Sequence, residues 1–283
     1  MSLITTKEIL KEARKNGYAV PAFNAENMEM VQAIIEGGVL ADSPVILQTT
    51  PSTLKYMDAK TFYSIAKSIS DKVNIPIAIH LDHGNTFELC QYCIESGYTS
   101  IMIDGSKFSF EENVNLSKKV VDIAKAKNIP VEAELGAVGG KEDAHIVLDK
   151  DAIYTNPNEA VEFVERTGIQ SLAVAIGTTH GHYKEAPKLD FDRLKSIAEL
   201  VSIPLVLHGT SGVLDEDVKR CVQIGISKVN YATELRDTYT KAVRSVLEDK
   251  TVFDPKAYGK AAKQSITELV IYRMKVCGSF QKA

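Results

Sequence analysis

The feature that most restricts this chain is an alternation. Short apolar runs of strand character recur along it, each followed by a longer stretch with apolar residues at helical spacing. The strand-like runs fall at Tyr18–Phe23, Pro44–Gln48, Pro76–Leu81, Ser100–Asp104, Pro130–Leu135, Ser171–Ile176, Pro204–His208 and Lys228–Tyr231. Helical periodicity covers Met28–Leu40, Lys60–Asp71, Phe87–Ser96, Glu111–Lys127, Asn158–Thr167, Phe191–Val201 and Asp215–Ile224, with a helical tail from Thr233 onward. Pro76-Ile-Ala-Ile79 is apolar at successive positions, as strands covered by helices are. Eight β/α units in series predict an α/β fold, a (β/α)8 TIM barrel, as one domain over residues 1–283 with extra C-terminal helices; a doubly wound open sheet is the competing arrangement. A hydrophobic content of 45% over 283 residues is enough for one such core.

The remaining composition excludes more than it selects. A net charge of -4 with no basic run offers nothing to nucleic acid or an anionic membrane. The N-terminus has no basic start followed by an apolar run, and no segment is long and apolar enough to span a bilayer. Four cysteines, Cys90, Cys93, Cys221 and Cys277, are too irregular for a disulfide framework and fit a reducing cytoplasm. Cys90 and Cys93 form a C-x-x-C within a helical pattern, with no second pair to complete a zinc knuckle; they read as thiols on one helix face.

Nearly every unusual polar residue ends or follows a predicted strand. In a barrel those ends converge on one mouth, so distant residues become neighbours there. Asp82 and His83 end the third strand, Asp104 the fourth and Glu134 the fifth; His180 follows the sixth, His208 ends the seventh and Asn230 lies on the eighth. Three imidazoles from glycine-flanked strand ends, His83, His180 and His208, form a candidate tridentate zinc site with an open coordination position. His80 lies within a strand and reads as packing or supporting a neighbour, His145 sits in a long loop, and His182 is a poorer ligand than His180.

Asp82 cannot easily share His83's role, because successive strand residues face opposite sides unless the backbone turns; acid–base work suits it, with orienting a histidine as the structural alternative. Glu132 and Glu134 share a strand face near Asp104 and could hold a further cation or orient ligands, or else be neutralised by lysines. Gly177-Thr-Thr-His-Gly181, His208-Gly-Thr-Ser-Gly212 and Asn230-Tyr-Ala-Thr233 are small-residue loops late in the chain, where this fold usually binds phosphate, and Lys184 adds a charge. Glycines there that merely permit tight turns are the plainer alternative. The interval from Gly136 to Asn156, with Gly139-Gly-Lys-Glu-Asp143, is long enough to be a functional lid.

These residues carry a resemblance to the class II, metal-dependent ketose-bisphosphate aldolases. It runs end to end through Gly17-Tyr-Ala-Val-Pro-Ala-Phe-Asn24, His80-Leu-Asp-His-Gly84, Met102-Ile-Asp-Gly105, Val131-Glu-Ala-Glu-Leu-Gly136, Gly139-Gly-Lys-Glu-Asp143, Gly177-Thr-Thr-His-Gly181, Leu207-His-Gly-Thr-Ser-Gly212 and Asn230-Tyr-Ala-Thr-Glu234. Tyr154-Thr-Asn-Pro157, Ser171-Leu-Ala-Val-Ala-Ile-Gly177 and Pro187-Lys-Leu-Asp-Phe191 are more similar to the tagatose-1,6-bisphosphate branch than to the fructose branch.

The resemblance implies one catalytic Zn2+ on His83, His180 and His208, Asp82 moving the C4 hydroxyl proton, and Glu142 handling the proton at C3. It implies that Gly181, Lys184, Gly209, Ser211, Asn230 and Thr233 hold the dihydroxyacetone phosphate end, with a monovalent cation (Na+ or K+) a candidate near the phosphate. Asp104 and Glu134 stand at positions that hold an inner, second metal in some members, while Gly105 and Lys107 depart from the usual residues. The expected partners are small sugar phosphates and copies of the chain itself, as a homodimer or homotetramer. Rival readings are a Schiff-base aldolase using Lys107 or Lys184, an aldolase for a phospho-keto-acid of inositol breakdown, and a catalytically silent sugar-phosphate-binding or supporting subunit.

Overall fold

The computed structural model describes residues 3–142, 145–147, 153–181, 183 and 187–283, with the backbone alone for residues 141–142 and 145–147. In chain order the strands are β1 (Val20–Asn24), β2 (Val45–Thr49), β3 (Ile77–Gly84), β4 (Ser100–Ile103), β5 (Val131–Leu135), β6 (Gly139–Glu142), β7 (His145–Val147), β8 (Ser171–Val174), β9 (Thr179–His180), β10 (Leu205–Leu207) and β11 (Ile226–Tyr231). The helices are α1 (Thr6–Asn16), α2 (Met28–Ala41), α3 (Pro51–Tyr56), α4 (Ala59–Ser70), α5 (Phe87–Ser96), α6 (Phe110–Lys125), α7 (Pro157–Thr167), α8 (Phe191–Leu200), α9 (Asp215–Ile224), α10 (Thr233–Val246) and α11 (Pro255–Cys277).

Eight strands close into a parallel barrel in the order β1-β11-β10-β8-β5-β4-β3-β2, which settles the choice against an open sheet. Local chemistry starts the helices at the predicted residue for α5 and one residue before it for α6 and α7. Thr86 caps α5, Ser109 and Glu112 form a capping box on α6, and Asn156 caps α7 with Pro157 in its first turn.

Alternation sorts the strand residues into two cores. Phe23, Leu47, Ile79, Leu81, Ile101, Leu172 and Val229 belong to the larger cluster between barrel and helices. Val20, Ala22, Ile46 and Ala78 instead pack with Ile9, Leu10 and Ala13 of α1, which closes the end of the barrel where the strands begin. A hydrogen bond between Thr6 Oγ1 and Ser100 Oγ, 2.7 Å, ties α1 to the interior. The sequence pattern did not mark α1, because its inward stripe is only three apolar residues among charges.

The tail also differs from a simple extension. α10 follows the last strand, yet α11 fills the gap in the helical ring, packing against both α2 and α9, while α10 lies against α11 with only Leu235 buried. The tail therefore packs on its own barrel. Its fit is close: a Cβ on Gly37 of α2 would lie 2.6 Å from Val270 Cγ1 and 2.9 Å from Val270 Cβ on α11. Alanine has the better helix propensity by roughly 1 kcal/mol, but overpacking against a stiff β-branched residue costs about 1–3 kcal/mol. Gly37→Ala is expected to lower the urea midpoint of unfolding; an unchanged or higher midpoint would show that α11 is loosely seated.

Candidate active site

The site begins with a turn inside a strand. β3 runs through Asp82 and His83, and His83 has φ +48°, the left-handed region that non-glycine residues rarely enter. Pairing with β4 shifts register between Leu81 and Gly84. The turn removes the alternation that would send the two side chains to opposite faces, and His83 Nε2 lies 4.0 Å from Asp82 Oδ1.

His83, His180 and His208 come together as the strand ends predicted. Ring centroids are 5.1 Å apart for His83 and His180, 4.7 Å for His83 and His208, and 6.1 Å for His180 and His208. Each offers a nitrogen within 4.8 Å of the others'. His83 Nε2 faces His208 Nδ1 at 3.0 Å, and two nitrogens on one tetrahedral zinc stand about 3.3 Å apart. The opposite nitrogens are held by carboxylates: His83 Nδ1 lies 2.9 Å from Asp104 Oδ2, and His208 Nε2 lies 3.0 Å from Glu132 Oε1. This carboxylate–histidine arrangement fixes ring orientation and tautomer in metal sites, so the donor set suits a divalent ion such as zinc.

Asp104 and Glu134, the candidates for a second metal, group with His83. Burial alone would raise the Asp104 carboxyl, yet its hydrogen bonds with His83 and with the Ser106 N–H hold it well below the usual range. Glu134 Oε2 lies 3.3 Å from His208 Nδ1. Burial disfavours charge on His208, but hydrogen bonding to Glu132 and Glu134 outweighs it and pushes the imidazole up to about 9, so a cation binding there displaces a proton.

Beneath the histidines is a charged layer that the sequence only half disclosed. Glu132 and Glu134 divide the two roles foreseen for them: Glu134 faces the metal group, while Glu132 pairs with a lysine, Lys228, at 3.0 Å. Burial would raise the Glu132 carboxyl, but the Lys228 charge and the His208 hydrogen bond keep it well below the normal range. His80 is fully buried and supports its neighbours: Nδ1 meets Ser100 Oγ at 2.8 Å and Nε2 meets Lys228 Nζ at 3.5 Å. Burial first, then Lys228, lowers its pKa well below the ordinary histidine value. A charged lysine only donates, so Nε2 accepts and the ring's proton sits on Nδ1.

Asp82 is fully buried and held from two sides. Asn230 Nδ2 donates to Oδ1 and Asn24 Nδ2 to Oδ2, both at 2.9 Å, and Gln48 Nε2 donates to Asn24 Oδ1 at 2.7 Å. Asn24 ends β1, and Gln48 is the last residue but one of β2. Both stand at the C-terminal ends of their strands, the same positional signal that Asp82 carries in the sequence.

Five of the six residues expected at the phosphate, Gly181, Gly209, Ser211, Asn230 and Thr233, line one cleft beside His180, joined by Arg236, which the sequence did not single out. Lys184 lies outside the described residues. Tyr183 ties the loops together, its hydroxyl accepting from Thr179 N and donating to Gly209 O, both at 2.6 Å. The glycine-rich interval contributes β6, which pairs with β7 and, in parallel, with β9, placing Gly140 opposite His180. Gly140 has φ +94°, and a Cβ there would collide with the His180 backbone. Glu142 lies two residues further along β6, in the strand whose backbone pairs with that of His180.

Other features recede. Cys90 and Cys93 are buried on α5, and burial pushes the Cys93 thiol up to about 12, which leaves no reactive pair. Among the described residues no helix is long and apolar enough to cross a membrane.

Comparison with known proteins agrees with this geometry. The family described as fructose-bisphosphate aldolase class-II matches residues 4–282. The YdjI aldolase of Escherichia coli K12 is 36% identical, with 99% of each chain covered and a TM-score of 0.89. A Coccidioides immitis protein provisionally described as a fructose-1,6-biphosphate aldolase is 32% identical, covering 97% of this chain and 96% of its own, with a TM-score of 0.90. The fructose-bisphosphate aldolase of Campylobacter jejuni, at 23% identity, covering 100% of this chain and 97% of its own with a TM-score of 0.85, shares the fold. The chain therefore belongs to the class II fructose-bisphosphate aldolase family and is an aldehyde-lyase.

Proposed function

We propose that the enzyme is a zinc-dependent aldolase that reversibly cleaves a ketose 1,6-bisphosphate to dihydroxyacetone phosphate and glyceraldehyde 3-phosphate. The observation that carries this reading is the placement of the doubly anchored Asp82 carboxylate 4.0 Å from a histidine nitrogen that faces a second histidine at 3.0 Å. A proton acceptor thus stands beside a cation site. His83, His180 and His208 would hold the ion, which when bound supplies positive charge where an enediolate develops on the three-carbon fragment.

The chain's own residues do the rest. Asn24 and Asn230 spend one donor on each Asp82 oxygen, which fixes the carboxylate and leaves lone pairs for the substrate C4 hydroxyl proton. Glu142, carried by β6, handles the proton at C3, so the two transfers fall to separate carboxylates. The phosphate of the three-carbon end sits in the cleft of Gly181, Gly209, Ser211, Asn230 and Thr233, and the resemblance adds Lys184 as a further positive charge for it. α10 starts there with no side-chain cap, so its first N–H groups and dipole favour an anion.

A Schiff-base route has less support. Lys107 is placed over the Phe108 ring at 5.1 Å, and the one lysine buried among the described residues, Lys228, is engaged by Glu132 beneath the histidines. Four buried free cysteines suit a reducing compartment such as the cytoplasm.

Tagatose 1,6-bisphosphate is the favoured substrate, with fructose 1,6-bisphosphate next, on the resemblance of Tyr154–Pro157, Ser171–Gly177 and Pro187–Phe191. Those segments brace the barrel: Thr155 Oγ1 donates to Leu135 O at 2.5 Å and accepts from Ala175 N at 2.8 Å. The kcat/KM on the two bisphosphates, measured with and without chelator, should fall to background with chelator, recover with zinc and favour tagatose; chelator-resistant cleavage trapped by borohydride would instead establish the Schiff-base route. Asp82→Ala is expected to retain bound zinc and lose about 10²–10⁴-fold in kcat. Normal turnover in that variant would remove Asp82 from the proton transfer.

A further inference from the structure

We infer that Lys228 is a positioning residue for the metal site, acting through Glu132 to aim one particular nitrogen of His208 at the ion. The inference rests on the proposed zinc reading of the three histidines. Lys228 Nζ lies 3.1 Å from Glu132 Oε1 and 3.0 Å from Oε2, so it grips both carboxylate oxygens, and it lies 3.5 Å from His80 Nε2. The three protons of a charged lysine thus meet three acceptors, and the side chain is fully buried. Glu132 Oε1, held in this way, is the atom that meets His208 Nε2 at 3.0 Å.

The geometry orders the steps. Lys228 fixes the carboxylate plane; the carboxylate takes the Nε2–H of His208; Nδ1 is left facing His83 Nε2 at 3.0 Å. Among the described residues the other oxygen of Glu132 has besides Lys228 the Ser171 hydroxyl at 3.4 Å, while His80 Nε2, an acceptor, stands off at 3.8 Å; neither defines the carboxylate's orientation towards His208. His80 is itself anchored through Ser100 to Thr6 of α1, so the clamp is braced from the closed end of the barrel. A lysine that merely filled space would not need both oxygens of a residue that touches a candidate ligand.

The test compares wild type with Lys228→Met and with the charge-neutral pair Lys228→Met/Glu132→Gln, which keeps the proposal open to refutation if the single variant fails to fold. Zinc affinity is measured by competition with a chromophoric chelator, folding by circular dichroism, and ring protonation by long-range 1H–15N imidazole spectra of the zinc-loaded protein. Wild type is expected to show a His208 Nε2–H proton that is downfield and slow to exchange. The folded variants should bind zinc about 10–100-fold more weakly and lose that signature. Zinc affinity within twofold of wild type in either folded variant overturns the inference, as does a wild-type spectrum with the proton on Nδ1 of His208. Wild-type protein that takes up no zinc, or holds it equally well after His180→Ala, would instead overturn the metal reading, and the inference with it.

Discussion

Closing eight strands sends every second side chain into a space that water does not reach, and this chain fills the upper half of that space with charge. The lower half is apolar and sealed by α1; above it stand His80, Lys228, Glu132, His208 and Asp82, all almost fully buried. Such a layer holds only if each charge is matched, since removing one partner of a buried pair costs about 3–5 kcal/mol. The contact between Glu132 and Lys228 supplies that match, and Glu132 in turn meets His208 Nε2 at 3.0 Å. A Leu-rich interior would be the simpler way to stabilise a barrel. Here the interior is organised for what sits at its mouth.

The second constraint is the backbone at His83. A regular strand can present either Asp82 or His83 to the cavity, and the proposed chemistry needs both: a base for the substrate hydroxyl and a ligand for the ion. The left-handed φ at His83 resolves the conflict locally, and Gly84 follows it because a Cβ there would lie 2.5 Å from the Met102 carbonyl oxygen. Strain of this kind persists only where the surroundings dictate it. They do: Asp104 grips the ring, Asp104 N donates to Gly84 O at 2.8 Å, and Asn24 and Asn230 fix the neighbouring carboxylate.

How much could be read from the chain follows from which signals are local. The barrel strands were legible because each is a short apolar run, and α5 and α9 were legible to their ends because apolar period and end residues agree there. The three histidines were legible through position, each at a glycine-flanked strand end. Lys228 was not: a lysine inside an apolar strand says nothing until register sets it across the barrel from Glu132. The turn at His83 left no mark in residue type either, since histidine does not announce positive φ. Which tail helix completes the ring was not legible for a related reason. α10 and α11 are both helical by pattern, and only packing against Gly37 selects the second to complete the ring.

The glycine-rich interval shows where a local signal and a tertiary requirement meet. Its length suggested a lid, yet the described part is more specific than that, since β6 adds itself beside the strand bearing His180. Such pairing needs two backbones at close approach, which Gly140 permits and any side chain there would prevent. The pairing therefore does two things: it sets the backbone of Glu142 on the strand beside β9, and it gives the Thr179–His180 backbone a neighbour. Pairing directly to the strand that bears His180 ties the backbone of the proposed acid–base residue to that of a proposed ligand.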